Sequence, residues 1–374
     1  SEDLKKEFFK LGLSFDVSTG RDRLYVYLSG LESNLEEGLE LFEHYLSDVQ
    51  PDPEAYNDLV DGILKERADA KLSKFAILNQ AMREYARYGA DNPVRDIISE
   101  EELRAMDVNA LVDKLKSITS YKHRVFYYGQ KDPQAVKQVI EASHKVPETL
   151  ADYPAPKTFA TVDMDQNKVY FVDYDMVQTE MLMVSKVGTF DPGVIAQANI
   201  FNEYFGSGLS SIVFQEIREA KALAYSAYSV FTTPGKKEDP HYVQAYIGTQ
   251  TDKLNDATDA MLNLMNNMPE ANAQFEDARL AALKRIETNR ITRTSIFWSH
   301  ETAKRRGLDH DLRKDTYPAI EGMQMADLKG FFDQYIKGRN YTFLVIGKKS
   351  DVDFDALAKL GSVEELSLEQ VFGY

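Results

Sequence analysis

The stretch GSGLSSIVFQEIREAKALAYSAY, residues 206–228, predicts a glycine-broken entry, then a helix, then a strand. Gly206 and Gly208 leave the backbone free to turn, because glycine adopts conformations that other residues avoid. Ser210 or Ser211 follows, and the hydroxyl of either can cap a helix N-terminus. A tight turn that leads into a capped helix is therefore expected at the head of this stretch.

The rest of the stretch places a cation and a phenol on two joined elements. Residues spaced by four form one apolar face of the helix: Leu209, Val213 and Ile217. The residues at every second position then suit one face of a half-buried strand: Leu223, Tyr225 and Ala227. Arg218 lies near the end of the helix, so its side chain and that of Tyr225 can point into one space.

The composition excludes several classes of function. The chain has 374 residues, 43% of them hydrophobic, which is ample for a buried core and favours two domains. Its net charge of −16 argues against a nucleic-acid partner, whose phosphates need a basic face, and suits a cationic partner. There are no cysteines, so disulfides and thiolate metal sites are excluded. No apolar run reaches the length of about 18 residues that a membrane-spanning segment needs.

Compartment is left open by the same features. Ser1 opens directly on a charged stretch, so no signal peptide is expected in this sequence. A chain without cysteine suits an oxidising space, exported or periplasmic, as well as the cytosol.

The second half of the chain repeats the first at an offset of 218 residues between positions 108 and 326. Residues 326–347 (ADLKGFFDQYIKGRNYTFLVIG) mirror residues 108–129 (VNALVDKLKSITSYKHRVFYYG). The phase holds elsewhere: Gly248 with Gly30, Leu254 with Leu35, and Phe275 with Tyr56. A long-period repeat indicates tandem copies of one fold. We therefore predict an α+β chain of two homologous α/β-roll units, 1–150 and 151–374, each an antiparallel-rich sheet with helices packed on one face.

Local patterns predict the elements around these units. They favour a helix over residues 1–10, a hairpin over 13–28 and a long helix over 72–88. A strand is expected at 125–128. Three prolines mark the linker between the units: Pro147, Pro154 and Pro156.

The first unit is expected to be truncated at its front. Leu11 and Gly12 align with Leu223 and Ala224, so this unit has no counterpart of residues 168–204, where the second unit carries a strand and a helix. A unit without these elements leaves a sheet edge and an apolar face uncovered. We expect the missing elements to come from chain in front of Ser1 or from elsewhere.

The run SSIVFQEIREAKALAYSAY, with Arg218 and Tyr225 at this spacing, resembles a known family. It is similar to zinc peptidases of the pitrilysin and insulin-degrading-enzyme type, the inverzincins. Their matching segment is Gly-Gly-Gly-Met-Ser-Ser, then Leu-Phe-Gln-Glu-X-Arg-Glu, then Gly-Leu-Ala-Tyr. In that family the Arg and Tyr belong to the half that does not bind zinc, and they reach across a closed chamber to the peptide. The resemblance implies that this chain is the C-terminal, non-catalytic half of a zinc-dependent metalloendopeptidase.

The resemblance also implies a role for each residue of the motif. Zinc peptidases build negative charge on the carbonyl oxygen of the peptide that they cleave. Tyr225 is expected to donate a hydrogen bond to that oxygen, and Arg218 to anchor the peptide through its fork of donors. Gly206 and Gly208 are expected to belong to the substrate-binding segment.

A zinc site is not expected within the chain itself. The inverted signature His-X-X-Glu-His places two ligands and the general base on one helix. None of the histidines begins it, and each is expected to be a surface or structural residue: His44, His123, His144, His241, His300 and His310. Zinc is therefore expected in the parent enzyme, on an N-terminal catalytic half or a partner subunit, and an unfolded polypeptide is the expected substrate.

Glu66 alone resembles a zinc ligand of the family. It stands in Ile-Leu-Lys-Glu, close to the Ile-Leu-Arg-Glu context of the third ligand. The acidic partner usual seven residues earlier is replaced here by Leu59. A solvated helix glutamate is the simpler interpretation.

Other interpretations compete with a peptidase half. The motif residues have a structural alternative, an Arg218 paired with Glu216 or Glu219 and a Tyr225 that packs in a strand. A catalytically inactive, peptidase-like binding or assembly subunit, like the family members that have lost catalysis, is a separate alternative for the whole chain. An unrelated peptide- or solute-binding protein is the other alternative, and a structure without two superposable units would support it.

Overall fold

The computed structural model describes residues 2–20 and 22–374. Its strands are β1 (Leu13–Gly20), β2 (Arg23–Gly30), β3 (Lys168–Asp173), β4 (Gln178–Thr189), β5 (Ser226–Phe231), β6 (Pro240–Gln250), β7 (Thr342–Gly347) and β8 (Ser362–Glu365). Short 3-10 turns are at Glu32–Asn34, Ile118–Ser120, Pro192–Val194 and Thr251–Lys253.

Helices make up most of the remaining structure. In the first part of the chain they are α1 (Glu2–Lys10), α2 (Leu35–Asp48), α3 (Pro53–Lys71), α4 (Lys74–Ala76, continued by the π-helical Ile77–Met82 and by Arg83–Tyr88), α5 (Glu100–Ala105), α6 (Val108–Lys116) and α7 (Pro133–Ser143). They continue with α8 (Ile195–Phe201, then π-helical Asn202–Gly206), α9 (π-helical Phe214–Ala220), α10 (Leu254–Asn266), α11 (Asn272–Thr288), α12 (Ser295–Arg305), α13 (Arg313–Gly322), α14 (Met325–Tyr335), α15 (Phe354–Leu360) and α16 (Leu368–Phe372). Among the described residues, none of the helices combines the length and the apolar character needed to cross a membrane.

The chain forms two compact units. The first takes in the chain up to Glu66 and the segment Ile98–Thr158. The second consists of Arg67–Ile97 and Phe159–Tyr374. The predicted units, 1–150 and 151–374, are the two copies of a sequence repeat. Compact units need not coincide with repeat copies, so the repeat stays a prediction.

The second unit is built on a six-stranded sheet in the order β5-β6-β4-β7-β3-β8. Neighbours from β5 to β7 are antiparallel, whereas β3 runs parallel to both β7 and β8. Sheet and helices together confirm the predicted α+β class.

Both faces of this sheet are buried. Met181 and Met183 of β4 point into a core shared with α8, α10, α11 and α14, while Leu182 and Val184 point into a core shared with α4. All four side chains have no exposed surface. A strand that is covered on both faces carries apolar residues at successive positions, as β4 does.

The prediction of helices on one face is therefore wrong for this sheet. α4 covers the second face with Ile77, Leu78 and Met82, which are fully buried. The physical reason is the apolar surface on both sides of the sheet, which contributes about 25 cal/mol for each Å² removed from water.

The first unit contains the hairpin β1–β2, in which Phe15 pairs with Leu28. The ring of Phe8, in α1, packs on that of Phe15 with centroids 4.9 Å apart. α2 approaches the hairpin at Gly38, where a Cβ atom would lie 2.3 Å from Cδ1 of Leu13. The predicted helix over 1–10 begins at Glu2, and Ser1 lies outside the described residues.

The predicted strand at 125–128 is wrong. Residues 125–128 belong to no ladder among the described residues, and Val125 is 56% exposed. A strand exists only through hydrogen bonds to a neighbour, and the apolar alternation here has no strand to pair with.

His241 of β6 is buried in the second unit and uses both ring nitrogens. Nδ1 donates to the Thr232 carbonyl (2.8 Å), and Nε2 accepts from the Asp191 N–H (3.1 Å). Burial lowers the pKa of His241, and the charge of Arg306 lowers it further, against the opposing effects of Thr232 and Asp191. A protonated ring would also turn Nε2 into a donor that faces the Asp191 N–H.

We predict that the second unit loses stability as the pH falls below about 6.5, the ordinary pKa of histidine. Below that pH the unfolded chain takes up a proton at His241 and the folded chain does not. The free energy of unfolding then falls by up to about 1.4 kcal/mol per pH unit. Thermal unfolding at pH 7.5 and 5.5 measures the loss. His241→Gln should reduce it, the exposed His300→Gln should not, and an equal loss in all three proteins would contradict the prediction.

Candidate functional site

Arg218 and Tyr225 lie side by side. The guanidinium carbon of Arg218 is 5.2 Å from the centroid of the Tyr225 ring and 4.8 Å from that of Phe214. Tyr225 is 72% exposed, and the Arg218 side chain is 38% exposed. The structure thus brings together on one open surface the two residues that the sequence singled out.

The helix before this surface is wider than an α-helix. α9 is π-helical, and the N–H of Lys221 donates to the Glu216 carbonyl, five residues back (3.2 Å). The Ser211 hydroxyl accepts from the Phe214 N–H (3.4 Å), so Ser211 is the cap of the two that were predicted. Leu209 is not on the predicted apolar face, because it lies before the helix and is 72% exposed.

A strained residue turns the chain between Arg218 and Tyr225. Ala222 has a φ of 49°, in the left-handed region that residues with a Cβ atom avoid. Its N–H donates to the Arg218 carbonyl (3.1 Å). The strand predicted from Leu223 begins only at Ser226, because this turn comes first.

Hydrogen bonds join the turn to the end of β6 and to Lys253, which follows β6. Three hydrogen bonds connect them: the Tyr225 N–H to the Gly248 carbonyl (2.9 Å), the Thr249 hydroxyl to the Leu223 carbonyl (2.5 Å), and the Lys253 ammonium to the Ala222 carbonyl (3.1 Å). Thr249 and Lys253 were not expected from the sequence, because their partners are backbone carbonyls about 26 to 31 residues away. These bonds fix the backbone on which the exposed side chains stand.

The two glycines that were predicted to bind substrate lie in the segment that leads to α9. Gly206 is buried against β5, and a Cβ atom there would lie 1.8 Å from the Ser229 carbonyl oxygen. Asn202 binds the same strand, since its side chain donates to the Phe231 carbonyl (3.1 Å) and accepts from the Phe231 N–H (2.8 Å). Gly208 is exposed, with a φ of 92°. Packing explains Gly206 and turn geometry explains Gly208, and a role in substrate binding stays a prediction.

Arg218 has one weak ionic partner. Its Nε lies 3.5 Å from a carboxylate oxygen of Glu219, whose side chain is 52% exposed. An exposed pair of this kind contributes about 0–1 kcal/mol. The guanidinium can therefore exchange this partner for a ligand at little cost.

A buried polar network lies beside Gly248. Glu180 of β4 pairs in register with Gly248, is 5% exposed and binds the Lys74 ammonium at 2.5 Å. Tyr246 lies over Gly248, since a Cβ atom there would meet its hydroxyl at 2.8 Å. Burial raises the pKa of Tyr246, and the charge of Glu180 raises it further. The acidic residue in the otherwise apolar run of β4 is the sequence signal that could have revealed this network.

The residues present do not fit a zinc ion. Within residues 2–20 and 22–374, no three His, Cys, Asp or Glu side chains converge closely enough to hold a metal. Glu66 lies exposed in α3 and outside any such group. No catalytic step can be assigned to a metal bound by these residues.

We predict that Ala222→Gly raises the free energy of unfolding. The left-handed conformation costs a residue with a Cβ atom about 1–2 kcal/mol, whereas glycine loses about 0.5–1 kcal/mol more backbone entropy on folding. The net gain is up to about 1.5 kcal/mol. Urea unfolding measures it as a higher midpoint with an unchanged slope.

Gly208→Ala is the matched control. No atom lies within 4 Å of a Cβ atom added at Gly208, so the substitution adds backbone strain without a clash. Its midpoint should fall while that of Ala222→Gly rises. A fall in both variants would show that Ala222 is not strained.

Residues 123–286 match the model of a protein family, the peptidase M16 inactive domain. The matched segment includes the turn from Arg218 to Tyr225. No curated protein sequence matches the chain.

Solved structures share the fold over almost the whole chain. The inactive domain of peptidase M16 from Pseudomonas fluorescens has a TM-score of 0.65 at 14% identity, covering 94% of this chain and 84% of that one. A protease from Helicobacter pylori has a TM-score of 0.61 at 15% identity, covering 92% and 84%. A mutant of the ferredoxin protease FusC, in complex with Arabidopsis ferredoxin, has a TM-score of 0.66 at 12% identity, covering 93% of this chain and 38% of that one.

These identities are low, so the structures establish the fold, while the family match concerns the sequence itself. The two findings agree on the same domain. They confirm the recognition made from the sequence: residues 123–286 match the peptidase M16 inactive domain, and the fold is shared with a solved domain of that name, which is consistent with the C-terminal half of an M16 peptidase.

Proposed function

We propose that this chain is the non-catalytic half of a zinc-dependent metalloendopeptidase of the pitrilysin and insulin-degrading-enzyme type. It encloses an unfolded polypeptide together with an N-terminal half or partner subunit that carries the zinc. The observation that carries the proposal is the Arg218–Tyr225 pair, adjacent and exposed within a domain of this family. The FusC structure is of a protease with ferredoxin, which supports a protein as the ligand.

The geometry suits contact with a peptide backbone. Tyr225 is 72% exposed, and its phenol hydroxyl can donate a hydrogen bond. Arg218 stacks near the Phe214 and Tyr225 rings, which leaves the planar edge of its guanidinium to bind carbonyl oxygens. Tyr225 would stabilise the developing oxyanion, and Arg218 would anchor the chain on which it forms.

Zinc in the other half would supply the activated water for hydrolysis. This chain supplies binding and orientation. The Gly248 carbonyl and the Thr249 and Lys253 side chains hydrogen-bond the backbone of the turn and hold the donors in place before the peptide arrives. Preorganised donors avoid a reorganisation cost during the reaction.

We further propose that the two predicted repeat units, 1–150 and 151–374, are homologous and that the first of them is incomplete. At the offset of 218, β2 corresponds to residues 241–248 of β6, and residues 125–128 correspond to 343–346 of β7. β6 and β7 both pair with β4, whereas β2 pairs only with β1 among the described residues. Pairing of β2 with a strand equivalent to β4 would cover apolar side chains of β2 that are exposed here, Leu24 at 45% and Val26 at 40%. A strand pair supplied by another segment or subunit would complete this sheet.

We predict that Tyr225→Phe lowers kcat of the assembled peptidase by about 10²–10³, the usual effect of losing one oxyanion donor. Arg218→Lys keeps the charge but loses the fork, and should mainly raise KM. Steady-state cleavage of an unfolded polypeptide measures both. Tyr153→Phe, the same change at an exposed tyrosine (65%), is the control and should keep full activity.

The binding-subunit alternative gives a different result. An assembly that binds unfolded polypeptide but never cleaves it would make this chain a catalytically inactive binding or assembly subunit. A cleavage assay of the assembly separates the two. Fluorescence anisotropy with a labelled unfolded polypeptide tests what they share, because Arg218→Ala should weaken binding in either case. Unchanged turnover in Tyr225→Phe would refute the catalytic role of Tyr225.

We predict that β2 becomes protected only when its outer edge is covered. Its outward amides should exchange with solvent at least about tenfold more slowly in the assembly than in this chain alone, since ladder hydrogen bonds must open before exchange. Hydrogen exchange of the peptide covering 23–30 measures this, with the peptide from β6 as the control. Equal exchange of β2 in both samples would contradict the incomplete first unit.

A further inference from the structure

Three side chains of the first unit form a continuous hydrogen-bonded chain. His144 Nδ1 lies 2.5 Å from a carboxylate oxygen of Glu43, and its Nε2 lies 2.8 Å from Nε2 of His123. His123 Nδ1 lies 2.7 Å from the Tyr121 carbonyl oxygen. The two imidazole rings meet edge to face, with centroids 4.9 Å apart at 84°.

The number of protons shared by these three side chains follows from the geometry of their hydrogen bonds. A carbonyl oxygen only accepts, so His123 Nδ1 must donate to Tyr121. One proton also lies between Glu43 and His144 Nδ1. With two neutral rings and an ionised Glu43, both Nε2 atoms would carry lone pairs, and these would face each other at 2.8 Å. The contact between the two Nε2 atoms therefore needs one more proton. The three hydrogen bonds need three protons in total, whether or not one of them lies on Glu43.

The surroundings favour that proton. His144 is the C-cap of α7, where the helix dipole stabilises a positive charge. Its partner Glu43 supplies a carboxylate, and the two side chains are only 17% and 18% exposed. On the same elements Lys122 binds Asp152, Lys137 binds Glu141, Lys145 binds the Ala142 carbonyl, and His44 packs against Tyr45. Other charged groups on or beside these elements are exposed: Glu36, Glu37, Glu40, Asp48 and Arg124.

We propose that Glu43, His144 and His123 form a binding site for a single proton, a clasp that joins α2, the end of α7 and the segment 121–123. The proton lies between the two Nε2 atoms. This inference does not rest on the proposed peptidase function, since it needs only the first unit.

A proton fits this site better than a metal ion. Two imidazole nitrogens on one tetrahedral zinc, with bonds of about 2.0–2.1 Å, lie about 3.3 Å apart. The observed 2.8 Å is the length of an N–H···N hydrogen bond. No third ligand converges on the pair among the described residues.

The clasp closes over a limited pH range, because both gain and loss of a proton open it. Loss of the shared proton leaves two Nε2 lone pairs facing each other. Gain of a second proton leaves two N–H donors facing each other, so either change breaks this hydrogen bond.

Histidine-selective ¹⁵N NMR of the full chain tests the site directly, since the chain has six histidines. At pH 6.5 we expect both rings to carry a proton at Nδ1 and to share one between their Nε2 atoms, so the two Nε2 signals lie between those of a bare and a protonated nitrogen. His123→Gln and His144→Gln assign the signals and should remove the shared state from the remaining ring. Glu43→Gln should weaken it, and the exposed His44 serves as an internal control.

Hydrogen exchange of the peptides covering 35–48 and 133–143, corrected for intrinsic rates, gives the second readout. Protection should be greatest at an intermediate pH and fall by up to about tenfold per pH unit on each side, since one proton is linked to opening. In His144→Gln the peak should disappear, with circular dichroism confirming that the variant is folded. Ring signals that do not respond to replacement of the other histidine would overturn the clasp. One equivalent of Zn²⁺ that shifts both rings in the wild type would overturn the proton in favour of a metal.

Discussion

Burial of the central sheet on both faces is the constraint on which the second unit depends. β4 and β7 carry apolar side chains at successive positions, so each needs a layer of helices on both sides. That requirement draws α4, from the segment Arg67–Ile97, into the same unit as residues 159–374. It also fixes the register of β6 on β4, because a slip of one residue would exchange the two faces. Register places Gly248 beside Glu180, and Gly248 in turn holds the backbone of Tyr225.

The candidate site is a surface that backbone bonds hold in place. Tyr225 is 72% exposed, so packing alone would not orient it beside the half-buried Arg218. Their turn instead contains a left-handed Ala222, at a cost of about 1–2 kcal/mol. Three hydrogen bonds from the end of β6 and from Lys253, each with a net contribution of about 0.5–1.5 kcal/mol, offset that cost. Strain that the surroundings hold in place is typical of functional positions, which is an independent reason to look for ligands here.

Local chemistry was predictable from the sequence, and long-range pairing was not. Ser211 as a helix cap and the neighbourhood of Arg218 and Tyr225 follow from spacings of a few residues, and the structure agrees. The left-handed turn was not predicted, because alanine gives no signal for a positive φ that its hydrogen bonds impose. Residues 125–128 alternate like a strand, yet a pattern of apolar residues does not show whether a neighbouring strand exists. The second helical layer was missed for the same reason, since α4 is far from the sheet in sequence.

The first unit reaches its stability by other means. Its segment 121–131 has no ladder among the described residues: an isolated bridge joins Tyr121 to Ala151, and side-chain contacts hold residues 127–131. Glu32 accepts from the Tyr127 hydroxyl and from the N–H of Lys131 (2.9 Å), and these bonds lower the pKa of Glu32. They contribute above the ordinary pKa of a glutamate and are lost as the pH falls. Backbone ladder bonds do not titrate, whereas carboxylate and imidazole contacts do. The contacts of Glu32 therefore make the stability of the first unit depend on pH.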